Sequence, residues 1–275
     1  MPILEQLAMR ELAINTFDLM VLAGTAVFQI LQSNYPSANK LIIFVGSGNN
    51  AGDGYIVAGK ARSAGMGVEV IQLCSSEKLA GIAMKAYDYA KSSGVEMRPF
   101  DADLLDGCSS HRETLIIDAI LGVGVNKSVT GLYERAIVAI NSATHPVVSV
   151  DLPSGLNANT GCAMGVAVKA DITVSFVGLK QGLLTGEGQD YSGQVFFERF
   201  DIPDNIYSSD GSLKPSSRRI DISYLKGRLK PRKKSAHKGD HGHVVVLGGD
   251  KGFGGAAIMA AEAAQRSGAG LVTLV

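Results

Sequence analysis

The chain of 275 residues carries 26 Lys plus Arg against 26 Asp plus Glu, a formal net charge of zero, so no global field favours nucleic acid or an anionic membrane surface and an anionic ligand must be held by a local site. Its length admits two domains of roughly 100–200 residues each. Thirty-three glycines, above the usual ~7%, imply sharp turns or close approaches, and the scattered Cys74, Cys108 and Cys162 suit reduced thiols filling core or loops better than a disulfide framework.

The opening MPILEQLAMRELAIN has no basic region followed by an apolar stretch, and no run reaches the ~18–20 uninterrupted apolar residues of a membrane span. A soluble, cytoplasmic protein with no membrane partner is expected. Apolar spacing predicts helices over 3–14 and 16–35, and KLIIFVG (40–46) has the continuous β-branched character of a strand buried on both faces of a parallel sheet. The glycine-rich VGSGNNAGDGYIVAG (45–59) leads into a helix predicted over 53–64, which Gly65 and Gly67 end. VEVIQL (68–73), TLIIDAIL (114–121), PVVSVDLPSG (146–155), ADITVSFVG (170–178) and GQVFFERF (193–200) read as further strands, with helices over 77–93 and 131–142. Six strands alternating with helices predict a Rossmann-like three-layer αβα sandwich with a mostly parallel sheet.

Residues 208–236, poor in apolar side chains and rich in Lys, Arg, Ser and Pro, read as a linker between a domain over 1–207 and a segment over 237–275. That segment supplies strand, glycine loop, helix, a Gly268 stop and strand, and one βαβ unit of this size cannot bury its own sheet faces.

Each polar or glycine-rich cluster follows a predicted strand: 46–54, 118–128 and 151–155. Ligands in open α/β sheets bind at the carboxyl ends of strands, so the three clusters are expected to meet in one crevice. Gly46-Ser47-Gly48-Asn49-Asn50-Ala51 satisfies the dinucleotide pattern formally, but no acidic residue ends the second strand to hold a ribose hydroxyl, which disfavours a nicotinamide dehydrogenase; no Lys-Ser or Lys-Thr follows, which excludes a P-loop. Free amides at a helix start favour an anion, while the Asn49 and Asn50 amide oxygens suit a hard cation. The bland alternative is that Asp53 or Asn50 only caps the helix and the glycines only permit positive φ. Asp118 and Asp151 close apolar runs, and two carboxylates beside an anion require a cation or a proton. A cation at Asp118, leaving Asp151 for acid–base work, resolves that conflict.

GNNAGDGYIVA (48–58), IDAILGVGVNKSVTG (117–131) and SVDLPSGL (149–156) resemble the NAD(P)H-hydrate epimerase family, the YjeF N-terminal domain, over about residues 5–205. Residues 237–275 resemble the opening of an ADP- or ATP-dependent NAD(P)H-hydrate dehydratase, an incomplete ribokinase-like stub; similar proteins carry both as one bifunctional repair enzyme. The resemblance implies that Asn49, Asn50, Ala51, Gly52 and Asp53 contact a hydrated nicotinamide dinucleotide, that Gly122, Val123, Gly124, Val125, Asn126, Lys127 and Ser128 wrap it, and that Asp151 sits at the reacting ring. It implies a potassium ion on Asn50, Asp118 and Ser154. ADP or ATP with Mg2+ is expected only for the dehydratase part, whose catalytic and nucleotide motifs lie beyond Val275, and a homo-oligomer is expected. Two departures stand out. Ala51 replaces the usual glycine, implying a cost of roughly 1 kcal/mol where φ is positive, and LMVLAG (19–24) lacks the glutamate common after Leu-Met.

The substrate so implied is a carbinolamine, whose centre inverts if the ring opens and recloses or if water leaves and returns, by proton transfers alone. Asp151 is the candidate acid/base. The rival reading is a non-catalytic nucleotide-binding or protein-interaction module. His237, His241 and His243 sit in a basic, glycine-broken segment that reads as a solvated loop rather than a metal cluster. Arg228, Lys230, Arg232, Lys233 and Lys234, without interleaved aromatics, read as linker rather than a nucleic-acid patch.

Overall fold

The structure, a computed structural model, describes residues 2–101, 113–207, 215–228 and 231–275. Cys108 and Lys230 lie outside the described residues. Two compact units divide the chain, Met1–Ser217 and Arg218–Val275.

The first unit runs α1 (Pro2–Leu12), α2 (Thr16–Asn34), β1 (Lys40–Val45), α3 (Asn49–Ser63), β2 (Gly67–Gln72), α4 (Gly81–Ser92), β3 (Glu96–Pro99), β4 (Thr114–Ala119), α5 (Leu132–Ser142), β5 (Val147–Val150), β6 (Ile172–Phe176), α6 (Gly188–Ser192) and β7 (Gln194–Glu198). Its sheet has the order β3-β2-β1-β4-β5-β6-β7 with every neighbouring pair parallel. The predicted three-layer class holds, with a seventh strand that the pattern missed. β3 reads EMRP, largely exposed; a short, charged, Pro-ended edge strand carries no apolar signal because it buries almost nothing.

Along β1 and β4 alternate side chains serve the two layers. Leu41, Ile43, Val45, Leu115, Ile117 and Ala119 join the core with α2, α3 and α4; Ile42, Phe44 and Ile116 join the core with Ala136, Ile137 and Ile140 of α5. That two-sided burial is why the strands read as continuous apolar runs. α2 begins in a capping box, Asn15 and Asp18 each accepting the other's backbone N–H. By length and composition it could cross a membrane, yet Leu19, Met20, Ala23, Ala26, Val27, Ile30 and Leu31 are buried in the core.

α3 starts four residues earlier than predicted, so Asn49–Gly52 are helix rather than loop. Gly48 occupies the N-cap with no side-chain cap, so neither Asn50 nor Asp53 caps the helix. Gly46, Gly48, Gly52 and Gly54 all lack positive φ, and at Gly46, Gly52 and Gly54 the glycine answers to close approach, whereas a Cβ at Gly48 would meet nothing within 4 Å. A Cβ would lie 2.2 Å from the Ile120 carbonyl oxygen at Gly46, 2.4 Å from Met20 Cε at Gly52 and 2.6 Å from Ala119 Cβ at Gly54. Ala51 is a buried helical residue without positive φ, so the penalty expected there is absent. Gly65, with φ +85°, ends the turn, and Met66 N–H donates to the Ala61 carbonyl at 3.1 Å.

In the second unit β8 (His243–Val246) and β9 (Leu271–Leu274) pair in parallel across α8 (Gly255–Arg266), with Gly268 at φ +108° between helix and strand. The unit leaves Leu247, Phe253, Met259 and Val275 at least two-thirds exposed. A short helix, α7 (Ile222–Arg228), lies inside the stretch read as linker.

Candidate functional site

β1 continues to β2 on one side of the sheet, while β4 lies on its other side. That reversal opens a crevice beyond the carboxyl ends of β1 and β4, the usual ligand position of an open α/β sheet. A cleft of about 500 Å3 occupies it, walled by Ser47, Gly48, Asn49, Asn50 and Asp53 after β1, Leu121–Gly124 after β4, and Asp151 after β5. The three clusters read from the sequence therefore meet. Gly122, Gly124, Val125, Asn126, Lys127 and Ser128 line an adjoining cavity of about 350 Å3. Ala51 and Gly52 do not line either cavity; Ala51 is 0% exposed in the core and Gly52 packs on Met20. The amide end of the 15-residue α3 opens into the larger cleft, a position that favours an anion.

Asp118 and Ser154 lie behind this surface, both 0% exposed. Asp118 pairs in register with Ser149 of β5. Its carboxylate accepts hydrogen bonds from Ser149 Oγ at 2.8 Å, Ser154 N at 2.8 Å, Ser154 Oγ and Ile120 N at 3.3 Å. Burial raises the Asp118 pKa, and these four donors hold it down in part. Among the described residues no cationic side chain pairs with it. The Leu121 backbone ties Asn50 to Ser154: Asn50 Nδ2 donates to the Leu121 carbonyl at 3.0 Å, and Leu121 N donates to Ser154 Oγ at 2.8 Å. Asn50 Oδ1 is buried without any partner. An orphaned amide oxygen near a buried carboxylate that lacks a counter-charge fits a hard monovalent cation on oxygen ligands. No group of three or more His, Cys, Asp or Glu suited to a metal occurs among the described residues. His237 accepts from Gly239 N and His243 meets Thr273 Oγ1.

Asp151 has φ +65°, a left-handed conformation that Asp tolerates better than most residues. Its N–H donates to the Val174 carbonyl at 2.7 Å. The turn that follows depends on Gly155, at φ +92°, where a Cβ would fall 2.0 Å from the Val166 carbonyl oxygen. Ser175 Oγ, Phe176 N and Lys180 Nζ all donate to Asp151 Oδ1, leaving Oδ2 without a donor among the described residues. Val177, also in the cleft wall, has φ +60°. A β-branched residue there stores strain, and such strain gathers at functional sites.

Lys180 and Glu5 are the site residues that the pattern missed. Lys180, 5% exposed, pairs with Asp151 and donates to the Phe176 carbonyl at 3.0 Å. Its position just past the fifth predicted strand obeys the same carboxyl-end rule, which was the available signal. Glu5 reaches the cleft from α1, and nothing local marks it. Asp53 is held well above the usual carboxylate range, by burial first and then by Asp151 and Glu5, with Lys180 opposing. Burial also raises the Cys74 thiol, which donates to the Gly46 carbonyl at 3.3 Å, while Cys162 is free and exposed.

A family model described as YjeF-related protein N-terminus matches residues 16–182. A Limosilactobacillus fermentum protein called NAD(P)H-hydrate epimerase is 38% identical over 191 residues, 70% of this chain and 89% of that protein. Proteins called bifunctional NAD(P)H-hydrate repair enzyme Nnr are 38% identical in Coxiella burnetii, over 98% of this chain and 54% of that one, and 36% identical in Escherichia coli, over 98% and 51%. The chain thus spans about half the length of these bifunctional relatives. The crystal structure of the yeast protein YNL200c, 20% identical, superposes with a TM-score of 0.62 over 76% of this chain and 89% of that one, and shares the fold. With a family model covering most of its first unit and an epimerase relative matched over nearly its full length, this chain belongs to the YjeF-related N-terminal family, that of the NAD(P)H-hydrate epimerases.

Proposed function

We propose that the chain interconverts the R and S epimers of hydrated NADH and NADPH, with Asp151 as an acid/base group. The observation that carries this reading is the meeting of the α3 amide end and Asp151 in one cleft, which offers an anion position for a pyrophosphate and a carboxylate for the ring. The name of the L. fermentum relative supports it. In the adjoining cavity, Gly122 to Ser128 would hold the rest of the dinucleotide.

Asn50, Asp118 and Ser154 would hold potassium, supported by the unpartnered Asn50 Oδ1. The ion would supply positive charge beneath the cleft, offsetting Asp118 and the pyrophosphate. Asp151 would take and return the proton through Oδ2, while Lys180, Ser175 and Phe176 N–H fix Oδ1. General acid–base help of this kind contributes about 10²–10⁴-fold. Neither a redox cofactor nor ATP is consumed. Dehydration of the S epimer with ADP or ATP and Mg2+ would need a complete dehydratase domain. A cytoplasmic, homo-oligomeric protein completes the proposal.

Incubation with one purified epimer in potassium buffer, followed by chromatographic separation, tests the reading. Approach to a mixture of both epimers is expected. Tight binding with an unchanged epimer ratio would identify a binding module instead.

A further inference from the structure

One end of the cleft carries more negative charge than its single lysine can balance. Asp53 comes from α3, Asp151 from the turn after β5 and Glu5 from α1, and Lys180 is the cation facing them. Lys180 is committed, since its ammonium donates to Asp151 Oδ1 and to the Phe176 carbonyl. Among the described residues no cation pairs with Asp53 or Glu5. Carboxyl groups crowded around one cation do not all ionise together, and the one least compensated keeps its proton. The Asp151 carboxyl sits in an ion pair, whereas Asp53 is part-buried on the helix.

We infer that Asp53 is a second catalytic residue of the epimerisation, an acid that donates a proton while Asp151 accepts one. The inference rests on the epimerase reading above. Epimerisation of a carbinolamine by water loss involves one proton given to the leaving hydroxyl and one taken from the entering water, and two separate groups can divide these steps. The Asp53 proton passes to the hydroxyl oxygen, the carbon–oxygen bond breaks with its electron pair leaving on water, and the ring-nitrogen lone pair closes a carbon–nitrogen double bond. The resulting ring cation lies among Asp53, now ionised, Asp151 and Glu5, which stabilise it. Water then adds to the opposite face of that carbon, the double-bond pair returns to nitrogen, and Asp151 Oδ2 takes the proton released. The two carboxyl groups then re-equilibrate with solvent, and nothing is oxidised or reduced. Burial and the neighbouring Asp151 and Glu5 charges push the Asp53 carboxyl well above the usual carboxylate range, against the opposing pull of Lys180.

The test compares wild type, Asp53→Asn and Asp53→Glu with one purified epimer in potassium buffer made with ¹⁸O-water. Wild type is expected to place one solvent oxygen in the hydroxyl per inversion and to lose kcat as pH rises through the Asp53 titration. Asp53→Asn should bind substrate yet lose about 10²–10⁴ in kcat, and Asp53→Glu should recover part of the rate together with an alkaline limb. In parallel, carbon-13 NMR of labelled aspartates in the wild type should show one carboxyl titrating well above the usual range, absent from Asp53→Asn. An active wild type beside a fully active Asp53→Asn, or an Asp53 that titrates in the ordinary carboxylate range, overturns the inference alone. A wild type that never interconverts the epimers overturns the epimerase reading itself.

Discussion

Lys180 and Asp151 form an ion pair at the cleft wall, the lysine side chain 3% exposed and the aspartate 18%. The aspartate is held at φ +65° and the lysine is anchored a second time on the Phe176 carbonyl. An ammonium buried this deeply is tolerable only because its partners are fixed.

Lys180→Met should therefore cost both stability and rate. Removing one partner of a buried pair costs about 3–5 kcal/mol, and the remaining exposure of Asp151 places this pair at or below the bottom of that range. A misplaced acid/base group can cost about 10²-fold in kcat, with KM moving less. Denaturant melts and steady-state kinetics on Lys180→Met, Asp151→Asn and the double variant check this. Additive losses in the double variant would show that the two residues act independently.

Potassium binding has a readout separate from catalysis. If Asn50 Oδ1 is a ligand, potassium chloride should raise Tm above that in choline chloride at equal ionic strength, because an ion that binds only the folded state stabilises it. Asn50→Ala should melt at the same temperature in both salts. A wild type indifferent to the cation refutes the site, as does an Asn50→Ala variant with an undiminished potassium response.

The large features of fold and cleft were legible because they rest on burial and on strand ends. Continuous runs such as LIIFV and LIIDA mark strands covered on both faces, and the polar clusters after them fall where the topology opens the sheet. β3 escaped because an exposed edge needs no apolar residues. The start of α3 was misplaced because glycines ordinarily signal a loop, whereas Gly52 and Gly54 lie within the helix and admit Met20 and Ala119. Glu5 was missed because its meeting with Asp53 and Asp151 depends on long-range packing. The left-handed φ of Asp151 and Val177 likewise arises from tertiary structure and leaves no local trace.

Asp53 also makes a prediction about stability. Its folded pKa is raised, so between its unfolded and folded values the folded state binds more protons than the unfolded state. Stability from this group is fully present below the ordinary aspartate pKa, near 3.9, and is lost as pH rises through the folded value. Asp53→Asn, which cannot ionise, should therefore gain Tm relative to wild type as pH rises from acidic to neutral. Thermal melts across that interval check the sign, and a gain that shrinks with rising pH would contradict it.

The final prediction concerns the contact of α3 with the sheet. At Gly54 a Cβ would stand 2.6 Å from Ala119 Cβ and 3.1 Å from Val45 Cγ1. Val45 and Ala119 are strand residues with 0% exposure, so neither can swing aside as the flexible end of Met20 can beside Gly52. Overpacking of this kind typically costs about 1–3 kcal/mol, more than the ~1 kcal/mol of helix propensity gained by replacing glycine with alanine. Gly54→Ala should thus be net destabilising, and α3, displaced from the sheet, should bind dinucleotide more weakly. Ala119→Gly removes the methyl group that the new one strikes, so the double variant should recover stability lost by Gly54→Ala. Urea melts of both single variants and the double variant give the coupling, and a zero value would show that α3 does not meet β4 through this contact.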